Sequence, residues 1–183
     1  MATAFAFVPA AWAGRIVFGD FAIFAVNDDG TAVTQITPYS VDADAPRWSP
    51  DGSRIVYVVR PPGLGCSPAD AGCATQIWVM NADGTGQTQL ATGPTRAAQP
   101  DWSSDGSARR VRPGRRPRRA RRGPAAHVWV MNADGSGADQ MTQSPGAREA
   151  NPHFRPDGRI EFERLDVASE QPEVHVVNAD GSG

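Results

Sequence analysis

Four sets of residues in this chain have types and spacings that could do chemistry. Cys66 and Cys73 close a short stretch, CSPADAGC; aspartate precedes glycine seven times, from Asp29-Gly30 to Asp180-Gly181. The histidines are His127, His153 and His175, and nine arginines crowd between Arg109 and Arg122. Paired thiols can form a disulfide, clustered carboxylates and imidazoles can hold a metal, and an arginine run can bind phosphate backbones. A hydrolase would need more. No GxSxG turn offers a serine nucleophile, no glycine-rich phosphate loop follows a strand, and no carboxylate pair stands outside the Asp-Gly signatures. The expectation is a chain without catalytic residues, cofactor or metal.

The aspartates belong to a repeat. VNDDG, MNADG, MNADG and VNADG end at Gly30, Gly84, Gly135 and Gly181; PRWSPDG, PDWSSDG and PHFRPDG end at Gly52, Gly106 and Gly158. The two signatures alternate along the chain, which marks a repeat architecture. A calcium loop would need oxygen ligands at alternate positions and a closing glutamate. Here Ala25, Val79, Val130 and Val176 stand two residues before each Asn, so turn chemistry accounts for these residues and supplies the positive φ of a tight hairpin.

Short apolar stretches lead into each Asn: AIFAV, IWVM, VWVM and VHVV. Both alternating faces are apolar, so these strands are expected to be covered on both sides. TQIT, TQLA and DQMT return from the turn with Ile36, Leu90 and Met141 in equivalent places, and RIVYVV and RIEFERL follow the second signature. Trp78 and Trp129 share one repeat position and read as core, and His175 takes that same position. Sheets of four short strands with two apolar faces need neighbours on both sides, and radial stacking provides them. The expected fold is all-β, a β-propeller with about three and a half four-stranded blades and an incomplete ring. Counting from the first strand divides the strands four, four, four and two. The repeat units run over residues 14–52, 53–106, 107–158 and 159–183.

The combination PxWSPDGxxIxF followed by IWVMNADGxGxxxLT resembles the TolB-type, WD40-like propeller repeat of bacterial envelope proteins. The likeness runs from Gly14 to Gly183 and is more specific to the repeat than to function. It implies an exported, non-catalytic module whose partner is another protein or an envelope component. Prolyl-oligopeptidase-like hydrolases carry similar propellers, which makes a propeller from such an enzyme, its hydrolase domain lying beyond Gly183, the alternative. TolB's α/β domain has no counterpart here.

Export fits the N-terminus. Phe5 to Trp12 are apolar, and Ala11-Trp12-Ala13 has the form of a signal-peptidase site before Gly14. Residues 1–13 are therefore read as a truncated signal peptide, and the compartment as periplasmic or extracellular. There Cys66 and Cys73 are expected to pair, closing a loop worth roughly 2.5 kcal/mol in the chain-entropy model.

The arginines remain. All 18 cations of Lys+Arg 18 are arginine, and without the nine clustered ones the net charge would move from -2 to -11. The segment 108–122 interrupts a repeat strand that should match Ser53–Val58. Back-translating Ser107–Pro113 with GC-rich codons and deleting one base after the serine codon yields Ser-Arg-Val-Ala-Phe-Val, the missing strand. A compensated frameshift is thus preferred over an evolved nucleic-acid arm, which would also want interleaved aromatics. On this reading no functional nucleic-acid binding, membrane span or defined homo-oligomer is expected, and the run should leave the third blade as a disordered loop.

Overall fold

The computed structural model describes residues 14–19, 21–60, 75–91, 96–114, 127–145, 147–166 and 171–183. Among these residues fourteen strands form four antiparallel sheets, and within each sheet every strand neighbours the next in sequence. The first sheet holds β1 (Arg15–Gly19), β2 (Ile23–Asn27) and β3 (Thr34–Gln35). The second holds β4 (Ala43–Trp48), β5 (Arg54–Val59), β6 (Gln76–Asn81) and β7 (Thr88–Ala91). The third holds β8 (Arg96–Trp102), β9 (Ala108–Gly114), β10 (Trp129–Asn132) and β11 (Asp139–Gln140). The fourth holds β12 (Ala147–Phe154), β13 (Ile160–Asp166) and β14 (Pro172–Val177). The repeat units hold four, four, four and two strands as counted, while the sheets divide three, four, four and three, because the last strand of each complete unit opens the next sheet. The xPxW stretch opens each complete sheet, and its counterpart is missing from the described part of the first.

The seams between sheets follow from strand periodicity. Successive side chains of β5 point to opposite faces, and Ile55–Val59 are all buried. Ile55, Tyr57 and Val59 join Ile23, Ala43 and Met80 on the side of the first sheet. Val56 and Val58 join Ile77, Val79, Ala97, Trp102 and Met131 on the side of the third. Val128, Ile160, Phe162 and Val177 fill the next seam. An isolated sheet could not bury both faces, so the stack is what makes each sheet stable.

The turns lock the same seams. In each NxDG turn the glycine N–H donates to the Asn carbonyl and the Asn N–H donates to the carbonyl of the residue after the glycine, as in Gly84 N to Asn81 O at 2.9 Å and Asn81 N to Thr85 O at 2.8 Å. Only the glycine of each pair has positive φ, so the hairpin is a type I turn with a bulge at glycine, and the aspartate is not left-handed as a two-residue hairpin would require. A Cβ on Gly135 would sit 2.7 Å from the Leu90 carbonyl oxygen, and one on Gly84 3.0 Å from that of Ile36. Glycine here serves both the turn and the close approach to the preceding sheet.

The arginine segment departs from its expectation. Ala108–Gly114 occupies the second place of the third sheet as β9, paired with β8 on one side and β10 on the other. Backbone pairing is indifferent to side-chain identity, and an empty place would leave two rows of amides and carbonyls unpaired. Register sets Ala108 against Asn132 and Val111 against Trp129, as Arg54 faces Asn81 and Tyr57 faces Trp78 next door. Residues 115–126 of the run lie outside the described residues.

Candidate ligand cleft at the propeller axis

The innermost strands of three sheets carry the motif xPx followed by an aromatic: Ala45-Pro46-Arg47-Trp48, Gln99-Pro100-Asp101-Trp102 and Asn151-Pro152-His153-Phe154. Each has a register shift, between Asp44 and Arg47, Ala98 and Asp101, and Ala150 and His153. Proline cannot donate to a ladder, so a bulge is where an inner strand accommodates it. The residue before each proline pays with a left-handed backbone: φ is 50° at Ala45, 55° at Gln99 and 47° at Asn151. Such conformations cost of order 1–3 kcal/mol each and persist only where the surroundings impose them.

These bulges line a cleft of about 550 Å³ formed by Ala45, Arg47, Gln99, Asp101, Asn151 and His153, with Pro100 and Pro152 at its walls. Part of its polar surface ties neighbouring sheets together. The Gln99 side-chain amide donates to Asn151 Oδ1, and the Asn151 N–H donates to Gln99 Oε1 at 3.1 Å. Phe154 N donates to Asp101 Oδ2 at 3.2 Å, and Trp102 Nε1 donates to the Arg47 carbonyl at 3.2 Å. His153 Nε2 lies 3.6 Å from Glu161 Oε1. Arg47 hydrogen-bonds only the carbonyl of Pro46, at 3.1 Å, and forms no ion pair among the described residues.

Residues singled out in the sequence fall elsewhere, with one exception. His153 enters the cleft. His127 occupies the place of Gln76, and His175 that of Trp78. Both reach one buried pair that sequence reasoning missed. Glu149 is 1% exposed and accepts from Arg164 NH2 at 3.1 Å, Ser144 Oγ at 3.0 Å, Val128 N at 3.3 Å and the Thr142 hydroxyl. His127 Nδ1 is 3.9 Å from Glu149 Oε2, and His175 Nδ1 is 3.4 Å from Arg164. Cross-strand partners Glu149 and Arg164 stand where the second sheet has Ala43 and Val59, so a charged pair replaces an apolar one. The repeat comparison itself was the available signal: a Glu in an alanine column.

The turn aspartates spend their carboxylates on the turns. Asp83 Oδ1 accepts from Thr85 N at 2.9 Å and from Thr85 Oγ1 at 2.7 Å, a pattern repeated at Asp29, Asp134 and Asp180. In the second signature, the Ser49 hydroxyl, then the Ser53 amide and hydroxyl, hold Asp51 down to about 2; Ser103 and Ser107 do the same for Asp105. The Cys66–Cys73 pair and the leader at residues 1–13 lie outside the described residues.

No protein-family model matches the chain. The uncharacterized peptidase YuxL of Bacillus subtilis (strain 168) is 27% identical over 131 residues, 72% of this chain but 17% of that protein. The Tol-Pal system protein TolB of Anaeromyxobacter dehalogenans (strain 2CP-C) is 38% identical over 55 residues, 30% of this chain and 10% of its own length. The chain therefore spans less than a fifth of either relative. Among solved structures, a putative TolB from Agrobacterium tumefaciens superimposes with a TM-score of 0.72 at 22% identity, covering 93% of this chain and 59% of that one. In fold this chain is a β-propeller, similar to TolB proteins in its repeat signature, and its described sheets form an open arc.

Proposed function

We propose that the chain is a non-catalytic interaction module of the bacterial envelope, exported by residues 1–13 and gripping a protein or envelope component at the axial end of the propeller formed by residues 14–183. One observation carries this reading. The framework of xPxW is the same in three sheets, while the residues it aims into the cleft differ, Arg47, Asp101 and His153 in turn. Repetition preserves what packing needs, and the variable positions are available for recognition. The polar groups there hydrogen-bond to the framework instead of forming a nucleophile–base pair, which favours binding over turnover. Among the described residues no helix is long and apolar enough to cross a membrane. Affinity capture from the host's envelope fraction, with Arg47→Glu as the control, tests the module: retention of the same partner by both proteins counts against the axial end.

A second reading rests on the likeness to YuxL over 72% of the chain. It makes this propeller the gate of a peptidase of the prolyl-oligopeptidase kind. Reading the gene beyond the codon for Gly183 separates the two: further repeats support the module, and an α/β domain bearing GxSxG supports the peptidase. The Cys66–Cys73 disulfide remains a proposal tied to export. Peptide mapping without reductant should recover the linked pair, and two alkylatable thiols in exported protein would remove it.

A further inference from the structure

We infer that the axial cleft takes an acidic peptide, seating a ligand carboxylate on Arg47 and a ligand backbone N–H on Asp101. The inference rests on the interaction-module reading and adds the chemistry of the ligand. Arg47 and Asp101 both line the cleft, yet they form no ion pair with each other or with any described residue. Among the described residues each makes one hydrogen bond: Arg47 NH1 to the Pro46 carbonyl, and Asp101 Oδ2 from Phe154 N. Guanidinium donors and a carboxylate oxygen therefore remain available on one wall.

The other groups fit the same ligand. Gln99 is committed to Asn151 through both of its side-chain polar atoms. Asn151 gives its Oδ1 to that contact, which leaves its side-chain N–H groups as donors beside the bulge. Ala45 brings only a methyl group to the position where Gln99 and Asn151 bring amides, so the space next to Arg47 stays open. His153 is held at 3.6 Å from Glu161, which itself accepts from Arg155 at 3.1 Å, so the far wall is already neutralised by its own pair. Arginine is the side chain best shaped to bind a carboxylate through two parallel hydrogen bonds. A peptide supplies the carboxylate and, a few bonds away, the backbone N–H from which Asp101 can accept. A bare inorganic anion satisfies only Arg47, and a nucleic acid brings its phosphates against Asp101 and Glu161.

The test uses acetyl-Gly-Glu-Gly-amide as probe, with its Gln counterpart, titrated into the full chain and followed by NMR at the guanidinium of Arg47 and the side-chain amide of Asn151. The expected result is saturable binding of the Glu peptide at least tenfold tighter than the Gln peptide, weakened tenfold or more by Arg47→Gln and partly restored by Arg47→Lys. Arg159→Gln, which among the described residues touches only the turn residue Asp157, should leave it within twofold. Equal affinity for both peptides, or an unchanged affinity in Arg47→Gln, overturns the inference. The same titration in the full chain carrying R109V, V111F and R112V, which leaves Arg110 in place opposite Asp101, guards against poor folding. A photo-crosslinking residue placed at His153 and, separately, at the exposed turn residue Gln87 distinguishes the two levels. Envelope adducts from Gln87 alone remove the cleft ligand and leave the module standing; no adduct from either removes both.

Discussion

The register of β9 lets the frameshift reading be put to a quantitative test. Positions 109, 110, 111 and 112 align with Ile55, Val56, Tyr57 and Val58, which are 0%, 0%, 0% and 6% exposed. Three of those four places hold arginine in this chain. The perturbation is the set R109V, R110A, V111F and R112V, which restores the strand read from the shifted frame. It also sets an aromatic against Trp129, as Tyr57 faces Trp78 and Phe162 faces His175. Burying each large apolar side chain contributes about 1.5–3 kcal/mol, and an uncompensated buried charge costs several kcal/mol. Taking only two apolar gains and no charge relief gives about 4 kcal/mol, close to the whole net stability of a marginal domain. For a chain of this length that corresponds to a rise in Tm of about 8–16 °C. Scanning calorimetry should show a broad, weak transition in the chain as written and a sharper, hotter one after restoration. Trypsin should cut first between Arg109 and Arg122. A written chain that already melts sharply and resists trypsin there, or a restored one with unchanged Tm, would refute the reasoning.

Other consequences are smaller and separable. Tyr57 is fully buried with its hydroxyl unpartnered, and Phe162 holds the equivalent place, so Tyr57→Phe should leave urea stability unchanged or raise it by up to about 1 kcal/mol, whereas Tyr57→Ala should cost about 3–5 kcal/mol. Burial pushes its phenol up to about 12; the stability this reflects is complete below the ordinary value near 10 and is lost as pH rises through 12, measurable by ultraviolet titration. Glu149→Ala should cost about 3–5 kcal/mol by stranding Arg164, and the double variant E149A/R164V, which copies Ala43 and Val59, should recover most of that loss in chemical denaturation. Gly135→Ala should destabilise more than Gly30→Ala by about 1–2 kcal/mol, because both take positive φ but only Gly135 abuts a neighbouring carbonyl. Asp51 and Asp105 are depressed to about 2, so the stability their turns gain is complete above pH 4 and lost as pH falls through 2; carboxyl NMR titration should place both midpoints near 2, and Asp105→Asn should remove its share of the acid dependence.

How much of this was legible beforehand depends on whether a feature repeats. The NxDG and PxWSPDG signatures recur because every seam makes the same demand, a glycine where one sheet's turn meets its neighbour, so the β-propeller could be read from letters alone. The cleft could not be found that way. Arg47, Asp101 and His153 differ from one another, and a search for self-similarity discards what differs. Glu149 was hidden for a related reason: a single glutamate looks like surface until β12 is aligned with β4 and its partners prove to be alanine and valine. The offset of one strand between repeat units and sheets was not read, because the turn signature, conspicuous in sequence, sits inside a sheet, whereas the boundary between sheets falls at the plainer stretch before xPxW. The arginine run was expected to leave its sheet on side-chain grounds, and backbone pairing on both flanks outweighed them.

The alternating contacts of β5 have a consequence for how the molecule transmits damage. Among the described residues each sheet packs on the one before and the one after, so the arc behaves as a chain of units coupled in series, with the third sheet bridging the first two and the fourth. In a closed ring a weakened unit is bypassed by the route around the other side, and unfolding stays all-or-none. Among the described residues no second route is formed. Loosening β9 uncouples the fourth sheet from the second without touching either, so cooperativity is set by the weakest link instead of by the average strength of the stack.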